Sequence, residues 1–207
     1  MKPLSDCHLY GILDLGYVSA GEEASMARRM LEGGVEVLQL RAKKFAPGAI
    51  RAVAEEILPI CREFEVPFVL NDHPVLVVLT GADGVHVGQD DLPVARVREI
   101  VGPGALIGLS THSLDQAAAA LEAGPDYIGF GPLFSTPTKP DYVPVGLGAI
   151  REVQARAGLP VFCIGGIKLE NLPAVLEAGA RRVVIVSGIL QAADVSSYCR
   201  KCRDLIG

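Results

Sequence analysis

Eight short apolar runs, each parted from the next by a helix-like stretch, constrain this chain more than any other feature. The runs are "HLYGILD" (8–14), "VEVLQLR" (35–41), "VPFVLN" (66–71), "DGVHVG" (83–88), "ALIGLS" (105–110), "DYIGFG" (126–131), "PVFCIGG" (160–166) and "RVVIVSG" (182–188). Between them lie segments rich in Ala, Leu, Glu and Arg, such as "EEASMARRMLEGG", "GAIRAVAEEILPICREF", "LDQAAAALEAG" and "LENLPAVLEAG". Gly33, Gly124 and Gly179 follow the helical stretches, as helix C-terminal stops do. Strand and helix alternating in this way argue for parallel βαβ units. Eight units in 207 residues predict one (β/α)8 barrel domain over residues 1–207, at the small end of that fold's range. A doubly wound open sheet would typically show about five or six strands and, for a nucleotide, G-x-G-x-x-G after the first. The chain has "DLGYVSAG" there, so the barrel is the expected fold.

Composition bounds what such a barrel can serve. Half of the residues are apolar but only 5% are aromatic, with no Trp, so the core must be mostly aliphatic. A net charge of −5 without a long basic run disfavours nucleic acid or an anionic membrane as partner. No segment reaches the roughly 18 continuous apolar residues of a membrane span. The start, "MKPLSDCHLYGIL", interrupts its apolar stretch with Asp6 and His8 and offers no small-residue cleavage site. Five scattered cysteines, an odd number, suit a reduced cytoplasmic protein. Cys199 and Cys202 form a C-x-x-C in a polar C-terminal tail, with no further zinc ligands nearby; two incidental cysteines on one helical face is the expectation.

Barrel enzymes carry their chemistry at the C-terminal ends of the strands. Strand two continues as "VLQLRAK" (37–43), which alternates Leu38, Leu40 and Ala42 with Gln39, Arg41 and Lys43. A closed barrel has no edge strand, so an amide and two cations on one face must meet a confined ligand. Strand three ends in Asn71 and Asp72, and strand four runs into Gln89, Asp90 and Asp91. Asp72 and Asp91 could each cap a following helix. Two acids at neighbouring strand ends also match Mg²⁺, which takes one or two carboxylates with phosphate oxygens and water. Ser110, Thr111 and His112 end strand five, while "IGG" (164–166) and "VSG" (186–188) match a barrel phosphate site built from backbone N–H groups. The long segment after strand six, "GPLFSTPTKPDYVPVG", places two hydroxyls and a lysine at the mouth, and loops of that length are commonly functional. His86 and His112 read equally as structural hydrogen-bonders or catalysts. Cations, carboxylates, hydroxyls and bare amides together are the inventory for a magnesium-bound polyphosphate.

These residues resemble those of the thiamine phosphate synthase (thiamine-phosphate pyrophosphorylase) family along nearly the whole chain. The resemblance rests on "LQLRAK", "NDHPVLVVLTGADGVHVGQDDLP", "IGLSTHSLDQA", "DYIGFGPLFSTPTKPD", "IGGI" and "VSGI", in that order. It implies a (β/α)8 transferase that joins hydroxymethylpyrimidine diphosphate to thiazole phosphate with Mg²⁺, releasing pyrophosphate. It further implies Gln39 and Asn71 beside the pyrimidine, and Arg41, Lys43, Ser110 and Lys139 on the diphosphate. Asp72 and Asp91 become the metal ligands, and Thr136, Thr138, Gly165, Gly166, Val186 and Ser187 receive the thiazole phosphate. His73 stands where many members have Arg, and Gly188 where Ala is frequent. Two other readings remain at this point: a thiazole tautomerase on the same barrel, using His112, and a non-catalytic sensor of a phosphorylated vitamin intermediate. The partners implied are small molecules, and a homo-oligomer is left open.

Overall fold

A computed structural model of the chain describes residues 2–135 and 143–207. Eight parallel strands close on themselves in sequence order: β1 (Leu9–Asp14), β2 (Val37–Arg41), β3 (Phe68–Asn71), β4 (Gly84–Val87), β5 (Leu106–Thr111), β6 (Tyr127–Phe130), β7 (Val161–Ile164) and β8 (Val183–Ile185). The helices are α1 (Glu23–Glu32), α2 (Pro47–Glu63), α3 (Pro74–Thr80), α4 (Val94–Val101), α5 (Leu114–Ala123), α6 (Ile150–Arg156), α7 (Leu172–Glu177), α8 (Ser187–Leu190) and α9 (Val195–Ile206). The expected (β/α)8 barrel is therefore the fold. Among the described residues no helix is long and apolar enough to cross a membrane.

Strand alternation divides the interior into two apolar cores. Leu38, Leu40, Phe68, Leu70, Val85, Ile107, Ile128 and Phe130 pack outward with the helices in one continuous cluster. Tyr10, Ile12, Val37, Val69, Tyr127, Phe162 and Val184 form the second, inside the barrel. Strands β1, β2 and β3 end where their apolar runs end and β5 runs one residue further, while β4, β6, β7 and β8 stop short; β2 stops at Arg41, so Lys43 lies beyond it, and Ser187 opens a helix rather than ending a strand. The C-terminal segment is not a polar tail. It is α9, an amphipathic helix with Cys199 and Cys202 fully buried, and Cys199 lies against Gly33 just past α1. Burial raises both thiol pKa values to about 12, which keeps them protonated and inert.

A repeated acidic clamp holds the bottom of the barrel. Asp83, the residue before β4, donates its N–H to Phe68 O (2.8 Å), and the N–H of Phe68 returns to Asp83 Oδ2 (2.8 Å). Asp126, before β6, makes the same ring with Ile107 (2.8 and 2.7 Å). Glu36, before β2, makes it with Leu9 (2.8 and 3.1 Å) and also accepts from the N–H of His8 (2.7 Å). Each carboxylate has a cation as well: Arg62 on Asp83, Arg98 on Asp126, and Lys2 with Arg203 on Glu36. Leu9 and Phe68 open their strands and Ile107 is the second residue of β5; in each case a cation-paired carboxylate satisfies the N–H while its own charge is neutralised. Before β8 the corresponding residue is Arg182, which lacks an acceptor side chain and instead donates to Ser5 O. This face lies opposite the strand ends that carry chemistry, and it reads as stability.

Removing one clamp leaves a backbone N–H and a guanidinium without their partner. Asp126→Ala is expected to cost about 2–3 kcal/mol and so lower Tm by roughly 5–10 °C, with turnover at room temperature unchanged; calorimetry and a rate assay check both. Burial pushes the Glu36 pKa up, but hydrogen bonds from Lys2, His8 and Leu9 and the nearby Arg203 charge outweigh it and leave the pKa lowered. A lowered folded pKa gives stability above the unfolded value, near pH ~4, that is lost as pH falls through the folded one. Thermal melts from pH 6 down to 3 should therefore fall less steeply in Glu36→Gln than in the native chain.

Candidate active site

The C-terminal ends of the strands surround a cavity whose lower wall is aromatic. Tyr10, Tyr127 and Phe162 meet edge to face or tilted, with ring centroids 5.4–6.0 Å apart. Their polar ends and neighbours form one hydrogen-bonded row. Gln39 Nε2 lies 2.8 Å from Tyr10 Oη, which lies 3.0 Å from Tyr127 Oη. Tyr127 Oη is 3.2 Å from His86 Nδ1, and His86 Nε2 is 2.9 Å from Ser110 Oγ. Burial raises the pKa of both phenols, so each keeps its hydrogen. All five residues line the cavity. Alternation accounts for the placement: Tyr10, Ile12 and Asp14 share one face of β1, as Gln39 and Arg41 share one face of β2.

Arg41 also lines the cavity, with its guanidinium paired to the nearly buried carboxylate of Asp14, its register partner across β1 and β2. The second oxygen of Asp14 accepts from the N–H of Gly16 (2.9 Å), which fixes the carboxylate and so the cation. Lys43, on the chain just past β2, pairs with Asp72 just past β3. Asp72 is held at φ +66°, a left-handed conformation that costs a non-glycine residue energy and is found at functional sites. Neither carboxylate is a helix cap. The cap of α3 is His73 and that of α4 is Pro93, without side-chain bonds, while Asp91 Oδ2 accepts from the N–H of Gly88 (2.7 Å) and ties its own loop. Among the described residues no group of three or more His, Cys, Asp or Glu could hold a metal. Two carboxylates at adjacent strand ends, with a substrate diphosphate completing the shell, still fit Mg²⁺, which rarely takes a full protein cage.

The opposite wall is backbone. Gly165 and Gly166 both take positive φ (102° and 68°), and a Cβ at Gly165 would sit 2.4 Å from Pro132 Cα. Only glycine lets the turn after β7 lie this close to the segment after β6, where Leu133 and Phe134 donate to Ile164 O and Gly165 O. Val186 and Ser187 complete that wall at the start of α8.

The cavity thus gathers Gln39, Arg41, Asn71, Ser110, Gly165, Gly166, Val186 and Ser187, while Lys43, Asp72 and Asp91 lie outside its lining. Thr136, Thr138 and Lys139 lie outside the described residues. Sequence reading passed over Tyr10, Tyr127 and Asp14, although "LYGILD" and "DYIGFG" carry them at alternate, inward positions. His86 bridges Tyr127 and Ser110 inside the barrel. His112 joins the lining and bonds Gly131 O through Nδ1.

A family model described as thiamine monophosphate synthase matches residues 9–189. A thiamine-phosphate synthase of Thermus thermophilus is 46% identical over 185 residues, covering 88% of this chain and 89% of the relative. One of Pelotomaculum thermopropionicum is 43% identical over 210 residues, covering 100% and 95%. The solved structure of a thiamine phosphate pyrophosphorylase from Pyrococcus furiosus superposes with a TM-score of 0.88 at 28% identity, covering 97% of this chain and 95% of that one. The chain belongs to the thiamine monophosphate synthase family.

Proposed function

We propose that this chain joins hydroxymethylpyrimidine diphosphate to thiazole phosphate, giving thiamine phosphate and pyrophosphate. The observation that carries the reading is the division of the cavity. An aromatic floor with a fixed amide meets a cation-bearing wall on one side and a glycine-built backbone wall on the other. That arrangement suits a flat heteroaromatic ring, its diphosphate and a second phosphate.

The ring rests on the Tyr10–Phe162–Tyr127 surface, with Gln39 and Asn71 at its polar edge. Arg41, Lys43 and Ser110 face the diphosphate, joined by Lys139. Thr136 and Thr138, with the amides of Gly165, Gly166, Val186 and Ser187, take the thiazole phosphate. Asp72 and Asp91 would hold Mg²⁺, which supplies charge neutralisation to the departing diphosphate when bound. An electron-rich aminopyrimidine can bear positive charge at its methylene as the C–O bond breaks. The residues' part is then to position both substrates, to hold the leaving group's charge and to keep water away. The thiazole nitrogen attacks with its own lone pair, so no general base is needed, and none of the assigned roles requires one. The Lys43–Asp72 pair must open or be shared when a diphosphate and its metal bind, because one carboxylate oxygen is now occupied by the ammonium. A tautomerase would need no grip of this kind on a diphosphate, and the relatives carry the synthase name.

Incubation with both substrates and Mg²⁺ should release pyrophosphate; a chain that releases none but interconverts thiazole isomers would sink the reading. Asp72→Asn and Asp91→Asn should each cut turnover about a hundredfold or more with little change in Tm, because each removes charge from the metal shell and keeps an oxygen for local bonding. A lower Tm with normal turnover would assign both residues to loop structure instead. Asp14→Asn keeps an oxygen for Gly16 but removes the charge opposite Arg41. Its expected effect is a roughly tenfold loss in kcat/KM for the diphosphate substrate, the worth of one charged hydrogen bond.

A further inference from the structure

The row Gln39–Tyr10–Tyr127–His86–Ser110 crosses the barrel through β2, β1, β6, β4 and β5, and its ends are the two side chains placed on the pyrimidine and the diphosphate. Glycine at 108 leaves the room it needs: a Cβ there would lie 2.4 Å from both His86 Nδ1 and Tyr127 Oη. Each phenol carries one hydrogen, and so does a neutral imidazole, so the links cannot be set independently. If Gln39 donates through Nε2, Tyr10 must donate to Tyr127, Tyr127 to His86 Nδ1, and His86 Nε2–H to Ser110. Gln39 then shows its carbonyl oxygen to the cavity, and Ser110 is left to direct its hydroxyl hydrogen there. Turning the amide reverses every link: Gln39 presents N–H, and Ser110 spends its hydrogen on His86 and presents a lone pair. A mixed arrangement sets two hydrogens or two lone pairs against each other at one link and leaves a buried group unsatisfied.

We infer that this row is a polarity relay that couples recognition of the pyrimidine's exocyclic group to the grip on the diphosphate. Tyr10, Tyr127 and His86 are its positioning residues. The inference rests on the proposed function. A 4-amino group is a donor and needs the Gln39 carbonyl; an anionic diphosphate is an acceptor and needs the Ser110 hydrogen. Both demands select the same polarity, the one in which Gln39 Nε2 is assigned toward Tyr10. A 4-oxo pyrimidine demands the reverse at Gln39 and thereby turns a lone pair of Ser110 toward the diphosphate. The wrong ring is rejected at both ends for one error, although the two ends share no contact.

The relay is tested by calorimetry with Mg²⁺ and without the thiazole substrate, using four probes. These are the aminopyrimidine diphosphate, its 4-oxo analogue and the two corresponding alcohols. In the native chain the affinity lost on exchanging amino for oxo should be at least tenfold larger for the diphosphates than for the alcohols. In Tyr127→Phe, which cuts the row at its middle, the two losses should agree within about twofold. Tyr10→Phe cuts a different link and should do the same, so a poorly folded Tyr127→Phe does not decide the matter. Equal losses in the native chain, or an excess that persists in both variants, overturns the relay. No binding of the aminopyrimidine diphosphate at all sinks the proposed function itself, whereas binding with equal losses sinks only the coupling.

Discussion

Closure of the eight-stranded sheet is the constraint on which the rest of this structure depends. In an open sheet, one face of β2 could release its polar side chains to solvent. In a closed one, Gln39 is 2% exposed and must find its partners inside. The same closure turns alternation along each strand into two separate apolar cores, one shared with the helices, the other inside the barrel around Tyr10, Tyr127 and Phe162. It also places the ends of β2, β3, β4 and β5 side by side, so that the Arg41 guanidinium, the Gln39 and Asn71 amides, the His86 ring and the Ser110 hydroxyl, far apart in the chain, line one cavity.

The two ends of the barrel use charge for opposite purposes. At the bottom, Glu36, Asp83 and Asp126 each close a ring with the strand before them and carry a cation, so each carboxylate is spent on holding the fold. At the top, Asp14 orients Arg41 and Asp72 pairs with Lys43, arrangements that leave charge beside a ligand cavity. The strained backbone at Asp72 and the paired positive-φ glycines at 165 and 166 also sit at the top. Glu65, in the turn before β3 at the bottom, takes φ +56° as well, but at Asp72 the unfavourable backbone sits where chemistry requires atoms to be held in place.

Much of this was legible in the residues. The eight runs and their glycine stops fixed strand count and order, and period-two alternation in "VLQLRAK" assigned Gln39 and Arg41 to the inward face. The turn "IGG" carried its own geometry, since positive φ at consecutive positions calls for glycine. Other features were not legible. Helix capping and a charge-bearing strand end have the same sequence signature for Asp72 and Asp91, and only the backbone conformation separates them. The ends of β4, β6, β7 and β8 fall short of their runs because those runs continue into turns that pack as tightly as strands do.

Sequence alone determined the barrel, its register of inward and outward residues, and the inventory of groups at its mouth, because these follow from local periodicity and from the strand-to-helix alternation. Tertiary structure alone decided which of those groups touch. Tyr10 and Tyr127 are 117 residues apart, and Ser110 and Gln39 are 71 apart by their numbers, yet one hydrogen-bonded row joins them. No local pattern encodes such a row. It exists because closing the sheet brings β1 and β6 face to face across the axis, and because buried polar groups in that space can be satisfied only by each other.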